Sequence, residues 1–92
     1  MKINVYATLR KITGGKVVEA ETPVGAPVAQ LLDELLTRFP DMKAEMLDDE
    51  GNLRPHVHFF VNGKSTHHLD DGLDTVLEEG AKVDVFPAVG GG

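Results

Sequence analysis

The chain has 92 residues, the size of one small domain with a single core. Its formal net charge of −6 comes from 15 acidic and 9 basic residues, and no Lys/Arg block is present. This pattern excludes a nucleic-acid binder of the usual basic kind and favours protein partners with basic surfaces. No apolar run approaches the ~20 residues of a membrane span. We therefore expect no membrane contact and a cytoplasmic location, since Met1–Val5 begins a strand pattern rather than a signal peptide.

Cysteine is absent from the sequence. This absence excludes disulfides, cysteine-based zinc sites and any persulfide or thioester carried on a side chain. If the protein carries a reactive group, that group must lie elsewhere in the chain.

The N-terminal segment predicts a β-hairpin. From Lys2 to Leu9 apolar and more polar residues alternate, which is the period-2 pattern of a half-buried strand. Gly14-Gly15 indicates a turn, and residues 16–21 again place apolar side chains on one face. We therefore expect two antiparallel strands joined by a rather long loop.

The middle of the chain predicts the main helix. An apolar stripe at helical spacing begins after Pro27 and ends before Pro40. Residues 41–47 predict a short second helix, and an acidic turn follows at residues 48–52. The stripe consists of Val28, Leu31, Leu32, Leu35, Leu36 and Phe39.

The C-terminal third predicts two more strands. Alternation over residues 56–61 indicates one strand, which closes at the turn-forming pair Asn62-Gly63. A polar stretch with spaced leucines follows, and Val83 and Val85 predict a last strand that ends at Pro87. The order β-β-α-β-β predicts an α+β domain over residues 1–87 with the ubiquitin-like β-grasp fold, a mixed sheet of four to five strands covered by one main helix.

Residues 88–92 predict a flexible tail ending in diglycine. Glycine lacks a side chain to pack and loses the most conformational entropy when it is ordered. From Pro87 to Gly92 the chain can span about 20 Å, and glycines let a backbone enter a narrow enzyme pocket without a Cβ clash.

Four segments resemble the ubiquitin-like sulfur carriers and modifiers of the MoaD and ThiS type. The resemblance is closest to the small archaeal modifier proteins and to the carrier used in thiocarboxylate-dependent cysteine synthesis. It implies that Gly92 carries the reactive carboxylate beside Gly91. The segments are residues 28–36, 48–53, 60–64 and 83–92, and the predicted tail spacer is Pro87, Ala88, Val89 and Gly90.

The resemblance also implies the chemistry. A ubiquitin-activating-enzyme-like partner would adenylate the terminal carboxylate with ATP and magnesium, so this chain would be a co-substrate that binds no cofactor itself. Sulfur would then give a thiocarboxylate, and a lysine amine would give an isopeptide. The sequence does not distinguish sulfur transfer from conjugation. It also leaves open which molecule accepts the sulfur or the carboxylate: the large subunit of molybdopterin synthase, a thiazole or cysteine synthase, a tRNA-thiolating enzyme, or protein lysines. Lys16, Lys43 and Lys64 are unranked acceptors within this chain.

An aromatic patch is the predicted partner-docking surface. Phe60 alternates to the face opposite Phe59, and Tyr6 and Phe86 share that outward direction on their own strands. Partial burial of these rings under a loop is the alternative.

Other motifs predict no active site in this chain. Gly63-Lys64-Ser65 lacks the leading glycine of a phosphate-binding loop, because His58 stands at that position. The histidines lack a completing ligand set, so surface histidines are the better interpretation than a metal site. Two rival functions remain: a β-grasp interaction module with an incidental glycine tail, and a small enzyme that uses His56 or His58.

Overall fold

The computed structural model describes residues 1–87, and within them it has five strands and three α-helices. Two short 3-10 turns, at Thr66–His68 and Gly72–Asp74, lie between the last two strands. The strands are β1 (Lys2–Val5), β2 (Val17–Glu19), β3 (His58–Val61), β4 (Lys64–Ser65) and β5 (Val83–Phe86), and the helices are α1 (Leu9–Thr13), α2 (Val28–Arg38) and α3 (Met42–Met46).

All five strands form one mixed sheet in the order β2-β1-β5-β3-β4. The first and last strands pair in parallel at its centre, with Ile3 opposite Val83 and Val5 opposite Val85. The other pairings are antiparallel, including the predicted hairpin of β1 and β2. The mixed sheet and its covering helix confirm the predicted β-grasp fold, and the last strand occupies the middle of the sheet.

One face of this sheet, the inner face, packs against α2. Strand residues that alternate inward are buried, and so are Val28, Leu31, Leu32 and Leu35 of the helix stripe, whereas its last members Leu36 and Phe39 are partly buried. Burying a Val, Leu, Ile, Phe or Met side chain stabilises a fold by roughly 1.5–3 kcal/mol, so this layer dominates stability. The prediction of the main helix is confirmed. Fully buried residues include Ile3, Val5, Phe59, Val83 and Val85 on strands, Val28, Leu31 and Leu35 on α2, and Met42 and Met46 on α3.

The first strand is shorter than predicted. It ends at Val5, because Ala7 has a φ of 53° that leaves the extended region, and the chain then enters α1. Leu9 is fully buried, but it reaches the core from this helix rather than from a strand. Gly14 ends α1 with a φ of 82°, and its N–H donates to the carbonyl of Arg10. The strand prediction for residues 6–9 was therefore wrong.

The predicted tight turn at Asn62-Gly63 is confirmed. Both residues have positive φ, 52° and 83°, which is the conformation of a two-residue hairpin between β3 and β4. The side chain Oδ1 of Asn62 accepts a hydrogen bond of 2.9 Å from the N–H of Lys82. The turn is thereby joined to the start of β5.

Glu34 on α2 attaches the segment after β2 to the helix. Its carboxylate accepts hydrogen bonds from the backbone N–H groups of Glu21 and Thr22, from the Thr22 hydroxyl, and from Arg38, at 2.6 to 2.9 Å. Desolvation opposes ionisation here, but these hydrogen bonds prevail and hold the pKa of Glu34 at about 2. The ionised carboxylate is therefore part of the folded structure at neutral pH.

The tail root and the outer aromatic face

The last described residue, Pro87, is the point from which the predicted tail departs; we call it the tail root. Pro87 is buried and directly follows β5, the central strand. Because β5 runs parallel to β1 and antiparallel to β3, the tail root lies where β1 ends and β3 begins. The predicted reactive and spacer residues Gly92, Gly91, Gly90, Val89 and Ala88 lie outside the described residues.

The face of the sheet opposite α2 carries an aromatic cluster beside the tail root. The Tyr6 and Phe86 rings are stacked, with centroids 4.1 Å apart and planes 5° apart. The Phe60 ring meets Phe86 edge to face at 5.4 Å. All three side chains are partly exposed. The structure thus brings the three predicted docking residues into one surface, whereas their role in docking stays a prediction.

The cluster continues at both ends with residues that the sequence did not single out for docking. The His58 ring stacks on Phe60 with centroids 5.4 Å apart, and His67 meets His58 edge to face at 5.3 Å. At the other end, the guanidinium of Arg10 lies 5.1 Å from the centroid of Tyr6. We call the rings of Tyr6, Phe86, Phe60 and His58 the aromatic face.

Asp84 supports this face from within the sheet. It lies on β5, the strand between β1 and β3, and is 6% exposed. Its Oδ1 accepts hydrogen bonds from Asn4 at 3.1 Å and from the Tyr6 hydroxyl at 2.9 Å. Lys82 places its Nζ 4.0 Å from the other carboxylate oxygen. The hydrogen bond to Asp84 raises the pKa of Tyr6, desolvation and the charge of Asp84 add to this, and Arg10 opposes it. Tyr6 is therefore a neutral, fixed donor.

His58 lies in a less polar setting than an ordinary surface histidine. Burial lowers the pKa of His58, and the neighbouring rings of His67, His68 and His56 lower it further. Its Nδ1 lies 3.0 Å from the Ser65 hydroxyl oxygen. The imidazole is therefore neutral near pH 7 and contributes an apolar surface to the aromatic face.

A shallow depression lies between the aromatic face and the tail root. Its volume is about 310 Å³, and it is lined by His56, His58, Phe60, Phe86 and Pro87. Rings and the proline dominate its surface, so it offers apolar contact rather than polar recognition.

The described residues do not assemble a metal centre. Within residues 1–87, no three His, Asp or Glu side chains stand close enough together to hold an ion. The His67 Nε2 lies 2.6 Å from the carbonyl oxygen of Val57, so that histidine is engaged with the backbone. Over the same residues, no helix has both the length and the apolar character needed to cross a bilayer.

The mixed five-stranded sheet with its covering helix defines a ubiquitin-like protein. The sequence matches the ThiS family over residues 3–92, and the chain belongs to that family. It is 33% identical to small archaeal modifier protein 3 of Haloferax volcanii, over 100% of this chain and 98% of that protein. It is also 27% identical to an Archaeoglobus fulgidus protein named as a sulfur carrier, over 100% and 98% of the two chains.

A solved structure extends the likeness to three dimensions. A chain in the crystal structure of the BexX/CysO complex of Amycolatopsis orientalis matches with a TM-score of 0.77 and 30% identity, over 99% of this chain and 98% of that one. That structure is a complex between proteins. Together these similarities make the chain a ubiquitin-like sulfur carrier or modifier, a class of small protein that works with protein partners.

Proposed function

We propose that an enzyme resembling ubiquitin-activating enzymes adenylates the terminal carboxylate of Gly92, and that this chain is its co-substrate. The observation that carries the proposal is the position of the tail root. Pro87 follows the central strand and borders the aromatic face, so an enzyme that holds this face is next to the start of the tail. The family match also extends to residue 92, and it therefore includes the glycines.

The chemistry requires ATP and magnesium on the enzyme. The Gly92 carboxylate attacks the α-phosphorus of ATP, and pyrophosphate leaves with the electron pair of the broken bond. The acyl-adenylate that results has AMP as a good leaving group, unlike the oxide of a free carboxylate. Since glycine has no Cβ, the reacting carbonyl can approach catalytic groups closely.

The acyl-adenylate can react by two routes. A sulfur nucleophile at the sulfide level displaces AMP and leaves a terminal thiocarboxylate, which a synthase for molybdopterin, thiazole or cysteine, or a tRNA-thiolating enzyme, can consume. A lysine amine displaces AMP and leaves an isopeptide. Neither route requires a cysteine in this chain, which has none.

The aromatic face is the proposed docking surface. Tyr6, Phe60 and Phe86 present rigid rings whose relative positions are already fixed by mutual stacking. Aromatic anchors that are ordered before binding lose little conformational entropy in the complex, and such residues dominate binding energy at interfaces. The face thus holds the carrier while the tail is processed.

Deletion of Gly91 and Gly92 tests the proposal. We expect ATP–pyrophosphate exchange by the activating enzyme of the same organism to be lost, with the thermal unfolding midpoint unchanged, because the deletion leaves the described core from Ile3 to Val85 intact. The matched control is Phe60→Ala, which keeps the tail and should weaken docking without removing the reactive carboxylate. Persistent exchange with the truncated chain would contradict the proposal, and dependence on Phe60 alone would favour the interaction module.

Intact-mass spectrometry of the protein from its native cells identifies which of the two products, the thiocarboxylate or the isopeptide, is formed. A thiocarboxylate replaces one oxygen by sulfur and adds about 16 Da, whereas conjugation gives branched adducts. The double-glycine deletion, expressed in the same cells, should give neither product.

A further inference from the structure

We infer that the partner that binds the aromatic face is apolar at its centre and places a carboxylate against Arg10. This inference rests on the proposed function, because it describes the partner that docks beside the tail root. It assigns to Arg10 the role of a specificity-determining contact.

Arg10 is held in place before any partner arrives. Its Nε donates a hydrogen bond of 2.9 Å to the carbonyl of Val5, at the end of β1, and its guanidinium lies 5.1 Å from the Tyr6 ring centroid. Among residues 1–87, no other hydrogen bond or ion pair engages this side chain. The guanidinium is therefore positioned on the edge of the face while its two terminal nitrogens keep their donors available.

Arg10 lies beside the aromatic face of a chain whose overall charge is negative. The net charge of −6 predicts basic partners, but the acidic residue that contacts the aromatic face, Asp84, is already engaged. Asp84 is buried and accepts hydrogen bonds from Asn4 and Tyr6, with Lys82 beside it. Within residues 1–87 no acidic group pairs with Arg10, so a partner with an acidic group at this position is complementary.

The geometry favours a carboxylate over a backbone acceptor or a single hydroxyl. A guanidinium with two free terminal nitrogens can bond both oxygens of one carboxylate, and such pairs are stronger and more specific than neutral hydrogen bonds. The Tyr6 ring covers one side of the guanidinium and limits its hydration. A lysine at position 10 would keep the charge but lose the planar pair of donors.

The test compares two neighbouring charge reversals on α1, Arg10→Glu and Lys11→Glu. Lys11 is exposed and makes no aromatic contact among the described residues, so its reversal changes the net charge equally without touching the face. Dissociation constants for the activating enzyme of the same organism are measured by calorimetry on the full-length chain. We expect Arg10→Glu to weaken binding roughly 30-fold or more and Lys11→Glu by less than about threefold.

A second variant tests whether weaker binding comes from the lost charge or from a disturbed fold. Arg10→Met keeps apolar packing over Tyr6, and its fold is checked by thermal unfolding. We expect weaker binding than in the unsubstituted chain and a smaller loss of affinity when salt is raised, because the charge pair is gone. Equal weakening by Arg10→Glu and Lys11→Glu, or an unchanged salt dependence in Arg10→Met, would overturn the inference.

The proposed function fails independently of this inference. Continued adenylation after deletion of Gly91 and Gly92 contradicts the proposed function whatever Arg10 does. If instead the tail deletion abolishes adenylation while the two reversals bind alike, the proposed function stands and the role of Arg10 is wrong.

Discussion

The two faces of the sheet are built from the same strands, yet they differ in burial and in the role that we propose for them. On the inner face Phe59 and Val85 are fully buried against the core. Their immediate neighbours Phe60 and Phe86 point to the opposite face and remain partly exposed. Because side chains alternate along a strand, one residue of separation divides the groups that stabilise the fold from the groups that we propose for docking.

The two faces also differ in what fixes their side chains. The inner face is apolar, and packing area determines its arrangement. The outer face uses directional contacts: ring stacking, the Tyr6 hydrogen bond to Asp84, and the bond from Arg10 to the Val5 carbonyl. The outer rings can therefore be changed at small cost to the fold, which makes the two functions separable by mutation.

The largest expected effect follows from removing an inner ring. Phe59→Ala should lower the free energy of unfolding by about 3–5 kcal/mol, through lost burial and the cavity left behind. A domain of this size is stable by only about 5–10 kcal/mol, so chemical denaturation should show a much reduced midpoint. Binding would then be lost together with the fold.

Phe60→Ala is the matched comparison on the outer face. We expect a loss of about 1 kcal/mol, since the side chain is partly exposed and gives up its contacts with Phe86 and His58. Affinity for the activating enzyme should fall by roughly 30-fold. If both substitutions destabilised the fold equally, the division between the faces would be wrong.

The next effect concerns Glu34, whose carboxylate joins α2 to the segment after β2. Glu34→Gln keeps the shape but removes the charge that accepts four hydrogen bonds, so we expect a loss of about 2 kcal/mol at pH 7. The side chain is only 17% exposed, so solvent screens these bonds little. Asp33→Asn is the control, because Asp33 is exposed on the same helix and makes no ion pair within residues 1–87.

Acid should remove the contribution of Glu34. Its pKa in the fold is about 2, below the ordinary value of 4.5, so the unfolded chain takes up the proton first as pH falls. The stabilisation is complete above about pH 4.5 and declines toward pH 2. The stability of Glu34→Gln should therefore vary less with pH over this range than that of Asp33→Asn, as measured by urea denaturation. Parallel pH profiles would show that the hydrogen bonds do not depend on the ionised carboxylate.

The fold was largely predictable, because its patterns are long or chemically specific. The helix α2 that carries the apolar stripe has eleven residues, and Asn62-Gly63 requires positive φ at both positions. The predicted first strand was too long for a physical reason. A short alternating run fits a strand, and nothing in the local sequence marks the left-handed turn at Ala7. The burial of Leu9 satisfies either structure, so hydrophobicity alone did not distinguish them.

The site was predictable only in part. Alternation was enough to assign Tyr6, Phe60 and Phe86 to one face, because period-2 geometry is local. Arg10 was missed because its contact with Tyr6 depends on α1, the element that replaced the end of the predicted strand. Asp84 was missed because its partner Asn4 is 80 residues away in sequence and meets it only through the parallel pairing of β1 and β5.

The smallest predicted effect lies on the outer face, at His58. Its pKa is below the ordinary value of 6.5, so the unfolded chain binds the proton first as pH falls through that value, and the folded state loses stability. We expect the free energy of unfolding to decrease as pH falls through about 6.5, and less so in His58→Gln. His68→Gln is the control, because His68 is exposed, has no ring contact within residues 1–87 and lowers the pKa of His58 less than burial does. Equal slopes in both variants would contradict the assignment, whereas a slope that depends on His58 would show that the outer face is costly to protonate because its histidine forms part of an apolar surface.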